Sequence, residues 1–442
     1  MRLFGAEAIS AGWRRTPTLH IDATVDMALL RCRVPHAELV GEIDAASPHM
    51  RVVQYPERAF GKLVLRNQRL LFKVWDWCVA YAARAGGDWG IVLPLEAEVT
   101  IPTQREVPGF IRLHHFGALR GIDELRDVRG LIVVGRPMES PGKVELMAGA
   151  LSGREVEAVA DWYPAAVMQL RARDGTVASV EADRHPDPLA DAVRASITEH
   201  ELLQAVGRCR GLNRSADDPV EVVLLTNVPV PGLVVDELRQ WEGPTIDDEI
   251  FAKFGIAIES AGDAAKIAGL SRDAVKKARG RLGTFSYKYY SYENVPNLCL
   301  ASYQLRGPGR SRRLAVYDRR RIADCREWLT GKLGPLAYFA EGEAGEGRAE
   351  PPDAATDQAD DVVEETAPEE AAAEPVVRDV DDHAAEPAAR AETAAPGIDE
   401  QWLRECDEWI ARWVARKVAE AFPAPANDAG PLTRAAAAAK RA

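Results

Sequence analysis

The stretch Gln204-Ala205-Val206-Gly207-Arg208-Cys209-Arg210-Gly211-Leu212-Asn213-Arg214 decides how the chain is read. It places Arg208, Arg210 and Arg214 at the end of an apolar-periodic run, Ile197, Leu202, Leu203 and Val206, whose spacing predicts a helix packed on a core. A guanidinium stays charged at physiological pH and offers a rigid fork of donors. A row of them leaving a helix end suits a polyphosphate whose charge grows during reaction. An exposed basic helix end would give the same pattern, since short arginine-rich stretches are common. The residues upstream separate the two readings.

Upstream lies Leu119-Arg120-Gly121-Ile122-Asp123, followed by Val128 and the apolar run Leu131-Ile132-Val133-Val134. Arg-Gly-Ile-Asp before a buried strand resembles motif V of superfamily 2 helicases, and Gln-x-x-Gly-Arg at 204–208 resembles their motif VI. Asp22-Ala23-Thr24, after Leu19 and Ile21 at an expected strand end, resembles the Ser-Ala-Thr type of motif III. The three occur in the family's order, and the chain is similar to helicase-like replication proteins of bacterial plasmids and phages over roughly residues 17–241. The resemblance implies a RecA-like α/β domain that uses ATP and Mg²⁺. In it Arg208, with Arg210 or Arg214, would act catalytically, while Arg120, Gly121, Asp123 and Gln204 would bind or sense the nucleotide. Asp22, Ala23 and Thr24 would couple ATP to DNA.

The chain departs from that pattern in three ways. Gly211 stands where the family's last motif VI arginine is expected, and the long gap between motifs V and VI implies an insertion around residues 140–195. Nor is there a Gly-x-x-x-x-Gly-Lys-Ser/Thr loop to cradle phosphates: Gly142-Lys143 is followed by Val144, and Gly61-Lys62 by Leu63. The resemblance therefore implies a second motor half with almost all of the first missing, and ATP hydrolysis that depends on a Walker-bearing ATPase partner. The alternative is a non-catalytic DNA-binding replication or regulatory protein that uses the motor-like domain as scaffold.

At 442 residues with 47% hydrophobic side chains, the chain can form two or three domains, at about 150 residues each. No apolar run approaches the roughly 18 residues of a membrane span, and the start is no convincing signal peptide, so a soluble, cytoplasmic protein without a membrane partner is expected. Six scattered cysteines without a Cys-x-x-Cys pair argue against a zinc site and fit a reducing compartment. The net charge of −13 is unevenly spread. Residues 341–397 hold eighteen acids against three arginines, whereas 262–321 hold fourteen Lys and Arg against four acids. Partners must be argued from these segments separately.

In the first 242 residues, Gln68–Ala85 carries Leu71, Val74, Trp75, Cys78, Val79 and Ala82 at helical spacing behind an Asn67 cap, and Gly86-Gly87 ends it. Strands are expected at Val52–Tyr55, Ile91–Leu95, Ile111–Phe116, Leu131–Val134 and Glu221–Thr226. Alternation with helices predicts a parallel sheet. His114 and His115 end one of these strands, where a structural role is the better reading. Asp174-Gly175 marks a hairpin turn within the insertion.

Pro229 to Gly232 and Gly243-Pro244 close this domain, and residues 243–340 form a second one. There Ala265, Gly269 and Val275 have helix-turn-helix spacing: a small residue for helix approach, a turn glycine, and an apolar seat for the second helix. That helix offers Arg272, Lys276, Lys277, Arg279 and Arg281. A following hairpin tip carries Arg306, Arg310, Arg312 and Arg313, so the module resembles a winged helix-turn-helix, with DNA as partner. Its aromatic cluster, Phe285, Tyr287, Tyr289, Tyr290 and Tyr292, suits either base stacking or one face of a core strand. Residues 341–397 have the composition of a disordered acidic linker. Trp402, Cys406, Trp409, Ile410, Trp413 and Phe422 give 398–422 the pattern of an amphipathic helix for a partner or self-association, ahead of a flexible tail at 423–442.

Overall fold

Asn67 accepts from the Leu70 N–H at 3.3 Å, and this cap opens the longest helix at the residue where the sequence places it. The structure is a computed structural model that describes residues 20, 22–42, 45–282, 295–308 and 310–342, with 281 and 282 described by backbone only. All of these fall in one compact unit, Met1–Ala354. The aromatic cluster at 285–292, most of the acidic segment and the residues 398–442 lie outside the described residues.

In chain order the first half contains α1 (Met27–Arg31), β1 (Met50–Gln54), α2 (Lys62–Leu65), α3 (Gln68–Ala85), β2 (Trp89–Leu93), α4 (Leu95–Gln104), β3 (Ile111–His115) and β4 (Gly130–Val134). There follow α5 (Pro141–Ser152), β5 (Ala165–Arg171), β6 (Val177–Asp183), α6 (Pro188–Ile197), α7 (Glu199–Gly207), β7 (Val220–Leu225) and β8 (Glu237–Leu238). Six of the strands form one sheet, in the order β3-β2-β4-β7-β1-β8, and every pairing is parallel. β2 and β4 are buried along their full lengths, as a sheet covered on both faces requires.

The side-chain period of two divides that sheet between two cores. Val53, Ile132, Val134, Val223 and Leu225 face α3 and α4. Val52, Leu131, Val133, Val222 and Leu224 face Leu202, Ala205 and Val206 of α7 and the loop residues Leu119, Leu125 and Val128. The arginine-bearing helix and the Arg-Gly-Ile-Asp loop thus share one core on one face. The inserted region adds α5, α6 and the β5–β6 hairpin, whose turn has Gly175 at φ 90° and Asp174 accepting from the Thr176 N–H at 2.8 Å.

Two expectations are corrected here. His20 and Asp22–Thr24 are not in a strand, and Leu19 and Ile21 lie outside the described residues. Asp22 accepts from the Thr24 N–H at 2.7 Å and from its hydroxyl at 3.1 Å, a local turn that competes with strand pairing. The apolar-periodic run around Ile197–Val206 is two helices that break at Thr198. Buried Arg194 of α6 makes a two-pronged pair with Glu199 of α7, at 2.9 and 3.0 Å, and fixes the joint.

The second half runs α8 (Ile246–Phe254), β9 (Ile256–Ile258), α9 (Ala261–Ala268), α10 (Arg272–Leu282), β10 (Leu298–Leu305), β11 (Arg313–Asp318), α11 (Cys325–Leu333) and β12 (Leu336–Gly342). Its sheet is antiparallel, in the order β12-β10-β11-β9. Ala265 and Val275 are buried in its core, and Gly269 turns between α9 and α10 at φ 67°. Because β12 runs to Gly342, the acidic segment expected to begin at 341 begins after a paired strand. Phe251, Ala252, Ala257, Leu298 and Val316 belong to the same core as Trp75 and Ile132, so the second half packs continuously onto the first.

Among the described residues no helix is long and apolar enough to cross a membrane.

Candidate functional site

The parallel sheet aims its carboxyl ends toward the loops that follow β3 and β4, the place where α/β sheets bind ligands. An open cleft of about 460 Å³ lies there, lined by Asp22, Thr24, Phe116, Arg120, His200, Glu201 and Gln204, with Pro137, Ser196 and Ile197. Its volume falls in the range of small-molecule sites.

Three segments far apart in sequence supply this lining, and side-chain contacts join them. Gln204 on α7 donates to the Thr24 hydroxyl at 3.3 Å, across 180 positions. Arg210 donates to Asp123 at 2.9 Å, across 87 positions. Arg120 lies 3.4 Å from Glu201 and is 76% exposed. Gly121 adopts φ 76°, a left-handed backbone that glycine enters without a Cβ penalty, so its identity follows from the loop's shape. The hydrogen bond from Arg210, reinforced by Arg126, holds the Asp123 carboxyl below its ordinary range. The backbone hydrogen bond from Thr24 does the same for Asp22.

The three arginines take three different roles. The Arg208 Nε is buried with no acceptor, and its guanidinium has no carboxylate partner among the described residues. Arg210 adopts φ 54°, a left-handed conformation costly for a residue with a side chain, and so turns toward Asp123. Arg214 corrects the expectation. Its side chain is 2% exposed and donates to the carbonyls of Cys209 at 3.0 Å, Val128 at 2.9 Å and Arg126. It staples the end of the arginine segment to the loop after Asp123 and cannot face a nucleotide. Gly211 has a packing reason too, since an added Cβ would lie 2.6 Å from the Met50 sulfur.

Arg214→Ala strips donors from three backbone carbonyls, so a loss on the order of 3 kcal/mol is expected. The exposed Asp218 partner adds little. A urea-unfolding midpoint equal to that of the parent would contradict this assignment.

The basic module needs the same sorting. Arg272, Lys276, Lys277, Arg306, Arg310 and Arg312 are exposed and have no ion-pair partner among the described residues. Arg279 is buried instead. It pairs with Asp247 through two nitrogens, at 2.7 and 3.1 Å, and donates to the Ile258 and Glu259 carbonyls, both at 2.6 Å. Arg313 binds the buried Asp263 at 2.5 Å, beside Tyr303, whose hydroxyl donates to the same carboxylate at 2.8 Å. Both arginines were expected on the DNA surface, yet they hold helices and hairpin together. The Arg281 side chain lies outside the described residues.

Sequence reasoning passed over His200, Glu201 and Phe116. The first two stand four and three positions before Gln204, which places all three on neighbouring parts of one helix surface. His115, at the end of β3, lies 2.6 Å from Glu98 of α4. His114 is partly buried, and that burial lowers its pKa. Among the described residues no cluster of three or more His, Cys, Asp or Glu could hold a metal ion. No protein-family model matches the chain, and no curated protein or solved structure matches it either.

Proposed function

We propose that the chain works as the arginine-bearing half of a helicase-like DNA replication motor, joined to a winged helix-turn-helix that grips DNA. The observation that carries this reading is that Asp22, Thr24, Arg120 and Gln204, one or more from each of the three motifs, line one cleft at the carboxyl edge of a six-stranded parallel sheet, with Gln204 bonded to Thr24 and Arg210 to Asp123. A resemblance confined to short motifs would not by itself bring those side chains within hydrogen-bonding distance.

ATP, when bound, supplies a phosphoryl group whose transfer spreads negative charge over its oxygens. Arg208, with no carboxylate partner among the described residues, is the guanidinium assigned to that charge, and Arg120 lines the cleft beside Glu201. Arg210 can contribute after leaving Asp123. The cleft's own carboxylates are engaged, Asp22 by Thr24 and Glu201 by Arg120, so the residues here fit the phosphates better than their Mg²⁺. The phosphate loop and the magnesium ligand belong to a Walker-bearing partner polypeptide. Gln204 contacting Thr24 gives a route by which nucleotide state reaches the residues that would couple it to DNA.

The order α8-β9-α9-α10-β10-β11, with the turn at Gly269, supports a winged helix-turn-helix. Its exposed cations line α10 and the hairpin between β10 and β11. A non-catalytic DNA-binding protein built on the same scaffold is the second reading, favoured by the burial of Arg214 and the charge-paired state of Arg210.

The test is turnover. The purified chain, with duplex DNA and Mg-ATP, is expected to release no phosphate above background. Robust release that vanishes in Arg208→Ala would mean that the chain carries a complete phosphate site of its own and would overturn the half-site reading. Turnover restored by a Walker-bearing partner separates the motor half from the scaffold.

A further inference from the structure

The open end of the second sheet carries a stacked pair that the DNA-binding reading leaves unused. The Arg312 guanidinium carbon lies 3.9 Å from the centre of the Tyr338 ring. Tyr338 is on β12 opposite Gln304 of β10, and its neighbour Phe339 points to the other side of the sheet and packs on the helices. The pair therefore sits on the face away from α9, α10 and α11, beside the hairpin loop. The loop is held in place there. The Arg306 N–H donates to the Pro335 carbonyl at 2.9 Å, and the Gln304 side chain donates to the Arg310 carbonyl. The pairing of β10 with β12 slips between Gln304 and Leu305, a bulge of the kind that re-aims side chains at sheet edges.

A lone surface arginine samples many rotamers, so it presents a charge without a fixed plane. Here the ring covers one face of the guanidinium and leaves an exposed planar cation, with no carboxylate partner among the described residues and Arg306 and Arg310 nearby in the loop. Nucleobases stack on such planes whatever their sequence. Inside a duplex both faces of each base are covered by neighbours. The surface can therefore engage only a base whose face is free.

We propose that Arg312 on Tyr338 is a stacking platform for the first unpaired base at a junction between duplex and single-stranded DNA. The proposal rests on the reading of this module as DNA-binding and specifies its substrate as a junction.

The experiment uses the full chain and two DNAs of equal duplex length, one blunt and one with a single-stranded tail carrying 2-aminopurine at its first unpaired position. Tighter binding of the tailed DNA, by roughly tenfold, is expected from a base-stacking contact, with quenched 2-aminopurine fluorescence on binding. Tyr338→Leu should abolish the preference and the quenching while leaving blunt-duplex affinity within about threefold, and Arg312→Lys should also abolish both signals, since lysine keeps the charge and loses the plane. Tyr338→Phe should retain both signals. Blunt binding without a tail preference, or a preference that survives Arg312→Lys and Tyr338→Leu, overturns the platform and leaves the DNA-binding reading standing. Failure to bind either DNA overturns both.

Discussion

In a complex that turns over ATP, Arg208→Ala is expected to lower kcat by roughly 10³- to 10⁵-fold, the range found when an arginine that stabilises a transferring phosphoryl group is removed. Arg208 is singled out over its neighbours by what each guanidinium already does. Arg214 is committed to three backbone carbonyls, and Arg210 to Asp123. Arg208 alone among the three keeps a buried nitrogen with no acceptor, an arrangement that invites an explanation outside the chain's own contacts. Arg208→Lys should not rescue turnover, because an ammonium cannot reproduce the forked geometry. Arg210→Ala should cost less, since its charge is half-neutralised at rest. Parent-like turnover in Arg208→Ala, with the urea midpoint unchanged, would remove this residue from the chemistry and move the weight to Arg210.

The parts of this site that could be read in the sequence are those set by local chemistry. Asn67 and Gly86 bound α3 because a cap and a positive φ are needed at those places, and the apolar stripe between them needs no tertiary knowledge. β2 and β4 are near-continuous apolar runs, as burial on both faces demands. Gly175 and Gly269 mark turns for the same backbone reason. What stayed hidden depends on partners far away in the chain. Arg279 looks like any other cation on α10 until Asp247, 32 positions earlier, is seen to hold it. Arg313 meets Asp263 across 50 positions. α4 contains Pro102 and has little amphipathic pattern, so only packing reveals it. β12 runs into the acidic segment, and composition alone assigns its last two residues to the wrong side of the boundary.

The surplus of positive charge at 262–321 therefore overstates the proposed DNA surface, and the salt dependence of binding should show by how much. Arg279, Arg313, Arg320 and Arg321 each have a carboxylate partner, respectively Asp247, Asp263, Asp318 and Glu106. Lys266 donates to the Leu333 carbonyl and Arg319 to the Cys299 sulfur, and the side chains of Arg281 and Lys288 lie outside the described residues, which leaves Arg272, Lys276 and Lys277 on α10 and Arg306, Arg310 and Arg312 by the hairpin. If about four of these six meet phosphates, log K against log salt should fall with a slope near −3.6, which weakens binding roughly 150-fold between 50 and 200 mM. Changing Lys276 and Lys277 together to Ala should weaken all duplexes alike and flatten the slope by roughly 2. Arg272→Ala should instead relax the choice between sequences by about 1 to 3 kcal/mol, if it reads a guanine edge. Arg279→Ala belongs to a different class, because it leaves Asp247 buried and unpaired at a cost of about 3 to 5 kcal/mol in stability. The measurement requires the full chain, since Phe251, Leu298 and Val316 pack into the core of the parallel sheet. Binding that ignores salt, or that survives the double lysine change with its slope intact, would mean that α10 packs and does not bind.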